Sequence, residues 1–367
     1  MRKFINDKVR ITCETLSELS QKTIYAIPEM QYIPCGYKSG RELPVPDSSW
    51  QTLHRYERIQ GKDRHFWFYT EYKTPSADKD KQYVLELTTS TEGSWDATNP
   101  QVLLYLNGKT VQGIDINHRQ AVLEPDTEYK ILMYFYTGMI DIHLDVFADI
   151  KLIDTQVHQL YYDLKVPYDA AMCFDESDYS YIKPMKYLEQ ACNIIDFSVP
   201  GSDSFYKSVL DAREYMRTEF FEKECGSSDA VVSLIGHTHI DVAWLWTLDQ
   251  TREKAQRSFA TVLNLMDQYP EYVFMSSQPQ LYKYLKEEAP DLYERVKEKV
   301  KEGRWEVEGA MWLEADCNLS SGESLVRQVL YGKKFMKDEF GVDSRILWLP
   351  DVFGYSAALP QILKKSG

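Results

Sequence analysis

Short runs of alternating apolar and polar residues dominate the chain between residues 66 and 166. The run IDIHLDV at residues 140–146 alternates strictly, as a half-buried β-strand does. Asn107-Gly108 lies between two apolar runs, a pattern that predicts a type I′ hairpin turn. Several short strands separated by turns predict a β-sandwich of the jelly-roll type. Before them, the pattern predicts a helix within residues 1–30 and loops over residues 36–65.

Apolar residues recur with a helical period from about residue 178 onward. The positions that carry this period are Phe205, Val209, Ala212, Met216 and Phe220. A spacing of three or four residues predicts an amphipathic helix. Ser202 or Ser204 is the expected N-cap of this helix, and Gly226 is its expected end.

Strand and helix patterns alternate from residue 230 to residue 367. Strands are predicted at residues 230–235, 272–275, 305–308 and 346–349. Helices are predicted at residues 250–268, at 280–302 with a break at Pro290, at 322–339, and over a short stretch near residue 367. Ser320 and Glu323 form a capping-box pattern before the third of these helices. Such alternation predicts a parallel sheet or an α/β barrel.

The predicted fold is therefore a multi-domain chain that combines all-β and α/β parts. Residues 1–175 are expected to form the β-sandwich domain with its leading helix, residues 176–229 a helical linker, and residues 230–367 a partial β/α barrel. Four strand–helix units do not close a barrel, so we expect the first part of a larger catalytic domain. A small open sheet, complete in itself, is the alternative.

Composition and charge argue against some classes of partner but do not identify a function. The 367-residue chain is 44% hydrophobic and carries a formal net charge of −14, which argues against nucleic acid or an anionic membrane as the main partner. Aromatic residues make up 13% of the chain, which suits sugar binding and core packing equally. No signal-peptide pattern and no run of 18 apolar residues is found. The six cysteines include no CxxC pair, so reduced thiols and a cytoplasmic location are expected.

The stretch GHTHIDVAWLW, residues 236–246, follows the first predicted strand of the C-terminal part. On a continuing strand, His237, His239 and Asp241 would face the same side. Imidazole and carboxylate groups suit zinc and similar divalent metals, and ligands gather at the carboxyl ends of strands in α/β folds. The alternative is that the histidines cap the strand or bind backbone groups. Trp244 could lie beneath a sugar ring or in the core.

Carboxylates also follow two other predicted strands. Asp351 comes directly after the fourth strand, and could be a metal ligand, a nucleophile, both, or a helix N-cap. Glu314 and Asp316 follow the third strand beside Trp312. They could bind sugar hydroxyls, support a metal ligand, or be solvated loop charges.

These residues leave two catalytic mechanisms open. His237 and His239 could be the paired metal ligands of an amidohydrolase, which uses a metal-bound hydroxide. Alternatively, His239 and Asp241 hold the metal while Asp351 attacks an anomeric carbon, as in retaining glycoside hydrolysis.

Four sequence blocks resemble the start of the catalytic domain of glycoside hydrolase family 38 α-mannosidases. The blocks are residues 236–246, residues 309–316, Leu319-Ser320-Ser321-Gly322-Glu323, and residues 348–357 with the sequence WLPDVFGYSA. They occur in the family's order over about the last third of the chain. The narrower resemblance is to the cytosolic class and its bacterial members.

The resemblance implies an exo-acting, retaining α-mannosidase with a seven-stranded β/α catalytic domain. It implies that His239, Asp241 and Asp351 bind a divalent metal, most often zinc, with cobalt or calcium as alternatives. Asp351 is then also the nucleophile. Trp244 would pack beneath the terminal mannose of a mannose-containing oligosaccharide, and Glu314 and Asp316 would contribute to substrate binding. His237 and Tyr355 would have supporting roles, and the full-length enzyme could be a homo-oligomer.

One departure from the family pattern concerns the residues after Asp351. The family has a further zinc histidine and a carboxylic general acid downstream of the nucleophile, whereas residues 352–367 contain neither residue type. We therefore expect an N-terminal fragment that is inactive by itself, since loss of the general acid costs on the order of 10²–10⁴ in rate. A metal-dependent amidohydrolase, a polysaccharide deacetylase and a non-catalytic carbohydrate-binding module are the alternative functions.

Overall fold

The computed structural model describes residues 2–37, 42–90, 92–93, 99–225 and 230–367. The first element is helix α1, Arg2–Leu19. Twelve strands, β1 to β12, follow it: Gln21–Ala26, Glu29–Cys35, Gln51–His54, Arg58–Gly61, His65–Lys73, Lys81–Thr88, Val102–Leu106, Lys109–Ile114, Gln120–Leu123, Glu128–Tyr136, Ile142–Asp145 and Phe147–Asp154.

Ten of these strands form two antiparallel sheets. One sheet has the strand order β1-β12-β6-β9 and the other has the order β3-β2-β5-β10-β7-β8, while β4 and β11 pair separately. Leu85 and Ile150 from the first sheet share one hydrophobic core with Leu104, Ile131 and Phe135 from the second. The predicted loop region at residues 36–65 was partly wrong, because β3 and β4 lie within it.

The hairpin predicted at Asn107-Gly108 is confirmed. These two residues join β7 to β8 and have φ angles of 51° and 77°. A type I′ turn requires positive φ at both central positions, which asparagine and glycine tolerate best. Asn107 also accepts a hydrogen bond from the backbone N–H of Lys130 at 2.8 Å, which ties the turn to β10.

Helices α2 (Thr155–Ala171), α3 (Tyr179–Ile194) and α4 (Asp203–Tyr215) come next, and α4 continues as a π-helical segment, Met216–Glu222. They pack with α1 around a shared core that includes Leu16, Leu160, Leu188 and Val209. Ser202 is the N-cap of α4, as predicted. Gly226, its expected end, lies outside the described residues. None of the described helices combines the length and apolarity needed to cross a bilayer.

One predicted boundary in this half was wrong. The β region was expected to reach residue 166, but Asp154 caps α2 by accepting a hydrogen bond from the backbone N–H of Val157. The helical spacing of Val157, Leu160 and Leu164, all buried on one face, was a signal for that helix. At the N-terminus the leading helix ends at Leu19, and β1 begins at Gln21.

The C-terminal part alternates strands and helices, as predicted. Its elements are β13 (Gly236–His237), α5 (Leu248–Gln268), β14 (Phe274–Met275), α6 (Pro279–Glu288), α7 (Pro290–Lys301), β15 (Trp305–Glu306), α8 (Gly322–Phe340) and α9 (Leu359–Lys365). Strands β13, β14 and β15 are parallel neighbours. A parallel bridge between Gly309 and Leu347 adds the fourth predicted strand as a single pairing.

The strand predicted at residues 230–235 is wrong. Val231 and Leu234 are 92% and 86% exposed, and regular pairing begins only at Gly236, where β13 meets β14. Apolar composition favours a strand, but a strand forms only where a neighbouring backbone supplies hydrogen bonds. Among the described residues, none forms a β-ladder or an isolated β-bridge with residues 231–235.

The capping box predicted for α8 is also wrong in detail. Ser321, rather than Ser320, is the N-cap and accepts a hydrogen bond from the backbone N–H of Ser324. Glu323 instead accepts a hydrogen bond from Arg327 one turn later at 2.9 Å. Two adjacent serines make the register of a cap ambiguous from sequence alone.

Helix α5 joins the two halves of the molecule. Its residues Phe259 and Leu263 share a core with Trp67, Leu103 and Tyr134 of the six-stranded sheet. Polar contacts lie within the same contact surface. Glu253 Oε1 is 3.0 Å from His65 Nε2 and accepts a hydrogen bond from the Tyr134 hydroxyl at 2.8 Å. The sheet therefore determines where α5 lies.

Gly332 on α8 provides a test of how this helix packs. A Cβ atom at Gly332 would lie 2.1 Å from the carbonyl oxygen of Ala310, so we expect Gly332→Ala to lower the free energy of unfolding by about 1–3 kcal/mol through overpacking. Gly322→Ala is the matched control, since a Cβ there meets nothing within 4 Å, and should stabilise by about 0.4–1 kcal/mol. Urea unfolding at constant m-value measures the free energy of unfolding of both variants. Equal changes for Gly332→Ala and Gly322→Ala would contradict this packing.

Candidate metal centre

Three predicted ligands lie together beyond the carboxyl ends of the strands. His239 Nε2 is 3.2 Å from Asp241 Oδ1 and 3.5 Å from Asp351 Oδ2. One ligand atom from each residue lies within 4.8 Å of the other two. His239 and Asp241 follow β13, and Asp351 follows the bridge at Leu347. Two parallel strand ends thus bring an imidazole and two carboxylates to one point.

The spacing of these atoms fits a small divalent cation. Ligands that bind zinc at about 2.0–2.2 Å with tetrahedral angles are separated from one another by about 3.3–3.6 Å. Of the two distances measured from His239 Nε2, 3.5 Å lies within this range and 3.2 Å lies just below it. One imidazole nitrogen and two carboxylate oxygens are also a common ligand set for such ions. The residues therefore fit a bound metal.

Glu314 supports His239 from the side opposite the two aspartates. Its Oε2 is 2.6 Å from His239 Nδ1, and its side chain is only 5% exposed. Ser277 donates a hydrogen bond to Glu314 Oε1 at 2.9 Å. The contact with Glu314 is the main reason why the pKa of His239 is raised to about 9. A carboxylate at Nδ1 keeps the proton there and directs Nε2 toward the aspartates.

His237 is not directed at the aspartates. Trp348 Nε1 donates a hydrogen bond to His237 Nε2 at 3.3 Å, and His237 Nδ1 is 3.1 Å from the carbonyl oxygen of Met275. An indole N–H can only donate, so Nε2 is the acceptor and Nδ1 carries the proton. Both ring nitrogens of His237 are thus engaged with groups of the fold.

The loop after Asp241 carries the two tryptophans. Trp244 is 53% exposed, and its ring meets that of Trp246 edge-on at a centroid distance of 5.6 Å. Trp246 Nε1 donates to Thr251 Oγ1 at 3.1 Å, and Thr251 Oγ1 donates to the carbonyl oxygen of Asp241 at 3.2 Å. The first turn of α5 therefore fixes the loop that carries Asp241, one of the predicted ligands.

Asp316 and Tyr355 lie outside the cluster of ligand atoms. Asp316 Oδ1 accepts hydrogen bonds from the backbone N–H groups of Asn318 and Leu319 at 2.8 and 2.9 Å, which makes it a turn-forming residue. The Tyr355 hydroxyl donates to the carbonyl oxygen of Leu349 at 2.8 Å. That bond closes the loop in which Asp351 lies.

Sequence reasoning missed the residues that follow β14. Ser277 contacts Glu314, and Gln278 Nε2 donates to the carbonyl oxygen of Ile240 at 2.9 Å, next to Asp241. A Cβ atom at Gly309 would lie 2.6 Å from Ser277 Cβ, so the loops after β14 and β15 are in close contact. Their position in the sequence could have identified them, because Ser276-Ser277-Gln278 directly follows the second predicted strand of a parallel sheet.

The part of the chain that carries these residues is similar to a known protein family. Residues 229–367 match the glycosyl hydrolases family 38 N-terminal domain. The C-terminal part of the chain is therefore similar to family 38. All three predicted metal ligands, together with Glu314 and Ser277, lie within this family 38 domain.

Individual relatives extend the similarity beyond the family 38 domain. The chain is 34% identical to alpha-mannosidase G of Dictyostelium discoideum, over 83% of this chain and 29% of the relative. It is 36% identical to an alpha-mannosidase of Saccharomyces cerevisiae, over 60% of this chain and 21% of the relative. It is 35% identical to human alpha-mannosidase 2C1, over 60% of this chain and 20% of the relative. The chain thus spans less than a third of each of these relatives.

Glu314→Gln tests the support given to His239. Removing the charge while keeping the side-chain volume should weaken metal binding by about 10–100-fold, measured by competition with a chromophoric chelator. Glu323→Gln is the matched control, because Glu323 is exposed and pairs with Arg327, and it should leave metal affinity unchanged. Equal affinities for wild type and Glu314→Gln would show that the contact does not act on the metal centre.

Metal binding should depend on pH through the raised pKa of His239, about 9. Without metal, His239 is protonated below that pH, and a metal ion must displace the proton at Nε2. Affinity should therefore rise about tenfold per unit between about pH 7 and 9 and then level off. Calorimetry in buffers of different ionisation enthalpy should detect about one proton released. A flat profile over this range would contradict the prediction.

Proposed function

We propose that this protein acts in the hydrolysis of terminal, non-reducing α-D-mannose residues of oligosaccharides by a retaining, metal-dependent mechanism. The observation that carries the proposal is the position of Asp351. Its Oδ2 lies at the metal centre, 3.5 Å from His239 Nε2, while its side chain remains 47% exposed. A carboxylate in this position can bind a metal and still meet a substrate.

The relatives support the choice of mannose. Three related proteins carry the name alpha-mannosidase, and the family 38 match contains the entire ligand cluster. We propose zinc as the metal, with His239, Asp241 and Asp351 as its ligands. When bound, zinc would supply charge that orients and polarises sugar oxygens.

Each residue of the site then has a defined task. Asp351 would attack the anomeric carbon, forming a bond to that carbon as the bond to the leaving oxygen breaks; water later releases the sugar with net retention. Exposed Trp244 would offer an apolar surface to the sugar ring. Glu314 would hold the proton at His239 Nδ1. Asp241 and Glu314 are both engaged in the metal centre, so neither is assigned as the acid that protonates the leaving oxygen.

The finer architecture belongs to the same proposal. We propose that the two sheets sharing one core form a sandwich of the jelly-roll type within residues 1–175. Residues 176–229 would be a helical linker against which α1 packs, and residues 230–367 part of a seven-stranded β/α barrel. None of the six cysteines, all of which the structure describes, is in a disulfide bond, which supports a reducing, cytoplasmic setting.

A mannosyl fluoride carrying a second fluorine at C5 tests the nucleophile directly. Fluoride leaves without needing a proton, and the C5 fluorine slows release of the sugar, so a covalent adduct should accumulate. We expect zinc-loaded protein to gain one fluoromannosyl group on the peptide that contains Asp351, as detected by mass spectrometry. Chelation or Asp351→Asn should abolish the label.

Two controls separate this function from its alternatives. His237→Asn should still be labelled, because an asparagine amide can replace the Nδ1–H donor to Met275; an amidohydrolase using His237 as a metal ligand would lose its metal instead. The glucosyl analogue should label far more slowly. Labelling of Glu314 or Asp316, or no labelling of zinc-loaded protein, would contradict the proposed nucleophile.

A further inference from the structure

The loop that carries Asp241 is held by side chains rather than by regular secondary structure. Residues 238–246, all of which the structure describes, lie in no helix and no strand. Gln278 Nε2 donates a hydrogen bond to the carbonyl oxygen of Ile240 at 2.9 Å. Thr251 Oγ1 donates to the carbonyl oxygen of Asp241 at 3.2 Å. Two consecutive carbonyl groups are therefore each bonded by a side chain from a different part of the fold.

Both donors are buried. Gln278 follows β14 and is 3% exposed, and Thr251 lies in the first turn of α5 and is 0% exposed. A carbonyl oxygen only accepts hydrogen bonds, so the amide of Gln278 must present its NH₂ group to Ile240. A buried donor that is removed is not readily replaced by water. An apolar substitution at either position would therefore leave a carbonyl oxygen without its partner.

The indole of Trp246 orients the hydroxyl of Thr251. Trp246 Nε1 donates to Thr251 Oγ1 at 3.1 Å, so the hydroxyl uses its own proton for a carbonyl oxygen. Two carbonyl oxygens are within reach, that of Asp241 at 3.2 Å and that of Thr247 at 3.3 Å. The Thr247 carbonyl already accepts the backbone N–H of Thr251 at 3.1 Å, which favours Asp241 as the acceptor of the hydroxyl proton.

These two hydrogen bonds fix the direction in which the side chain of Asp241 leaves the backbone. The Ile240 carbonyl belongs to the peptide plane before the Asp241 Cα atom, and the Asp241 carbonyl belongs to the plane after it. The φ and ψ angles of a residue are the rotations of these two planes, and they are its only soft backbone torsions. With both planes held, only the side-chain torsions of Asp241 can still move its carboxylate.

The backbone matters more for Asp241 than for the other two predicted ligands. His239 is supported through its side chain by Glu314, and Asp351 lies in a loop closed by Tyr355. Among the described residues, the carboxylate of Asp241 forms a hydrogen bond or ion pair only with His239. Metal–ligand distances hold to within about 0.2 Å, so the position of this carboxylate depends on how its backbone is held.

We propose that Gln278 and Thr251 are positioning residues of the metal centre. They hold the backbone of Asp241 so that its carboxylate meets the same ion as His239, although neither contacts the ion itself. The proposal rests on the proposed function in taking His239, Asp241 and Asp351 as the metal ligands. It adds that metal affinity and coordination geometry depend on the loop after β14 and on the first turn of α5.

Two variants of similar side-chain volume remove the donors. Gln278→Met removes the amide, and Thr251→Val removes the hydroxyl. Each should weaken zinc binding by about 10–100-fold, the usual cost of losing a residue that supports a metal ligand, as measured by competition with a chromophoric chelator. In the cobalt-loaded protein, the visible absorption bands report the number and geometry of the ligands, and they should shift in both variants. A loss of stability alone would not shift them.

Gln112→Met and Thr74→Val are the matched controls. Gln112 Nε2 donates to the carbonyl oxygen of Gln120 at 3.0 Å, and Thr74 Oγ1 donates to that of Glu124 at 2.6 Å. Both side chains are buried, and both bonds lie in the N-terminal β region. Each control deletes the same group from a bond to a backbone carbonyl, so urea unfolding should show a similar loss of stability. Zinc affinity should remain within twofold of wild type, and the cobalt bands should not shift.

Two milder variants cover the case in which Gln278→Met or Thr251→Val does not fold. Gln278→Asn keeps an amide but is one methylene shorter, so it should lose the bond to Ile240 and weaken zinc binding. Thr251→Ser keeps the hydroxyl and should bind zinc within threefold of wild type. A loss of affinity in Thr251→Ser as large as that in Thr251→Val would overturn the role of the hydroxyl.

The possible outcomes separate this proposal from the proposed function. If the Gln278 and Thr251 variants bind zinc within twofold of wild type, or if the controls weaken zinc binding as much, the positioning role is overturned and the proposed function stands. If the wild-type chain binds no zinc, the metal centre of the proposed function fails, and the positioning role with it. If zinc binding responds as expected but no mannosyl adduct forms, the positioning role stands and the proposed reaction fails.

Discussion

The contact between His239 and Glu314 is the interaction on which the candidate site depends. It joins the loop after β13 to the loop after β15, and the hydrogen bond from Ser277 adds the loop after β14. Glu314 is almost entirely buried, and a buried carboxylate is costly unless it is paired and hydrogen-bonded. Separating these loops would leave that carboxylate unpaired, so the same contact that orients the imidazole also holds three strand ends together.

Helix α5 transmits the position of the N-terminal sheet to this site. Its middle is fixed by the core formed with Trp67 and Tyr134 and by the contacts of Glu253. Its first turn is fixed to the ligand loop, because Thr251 bonds the carbonyl oxygen of Asp241. The six-stranded sheet thus contributes to the position of Asp241, a predicted metal ligand.

The sequence predicted the helices of the C-terminal part well, because periodic burial along ten or more residues is a strong signal. It predicted strands poorly there, since Gly236–His237 and Phe274–Met275 are too short to show a period. The roles of Glu314 and Asp316 could not be separated either. Alternate residues share a face only on a regular strand, and Gly309 and Ala310 have φ angles of 137° and 62°. The backbone turns there, so Glu314 enters the site while Asp316 forms a turn.

The two histidines show why local pattern leaves a metal site undecided. Both are placed to carry the proton on Nδ1, His237 toward the Met275 carbonyl and His239 toward Glu314. The two histidines differ in what their Nε2 atoms contact. Nε2 of His237 faces the N–H of Trp348, whereas Nε2 of His239 faces Asp241 and Asp351. Two identical side chains two residues apart therefore differ in their surroundings, because a donor meets Nε2 of one and two carboxylates meet Nε2 of the other. Trp348 and Asp351 both come from the fourth strand–loop segment, more than a hundred positions along the chain, so this choice is made by tertiary structure.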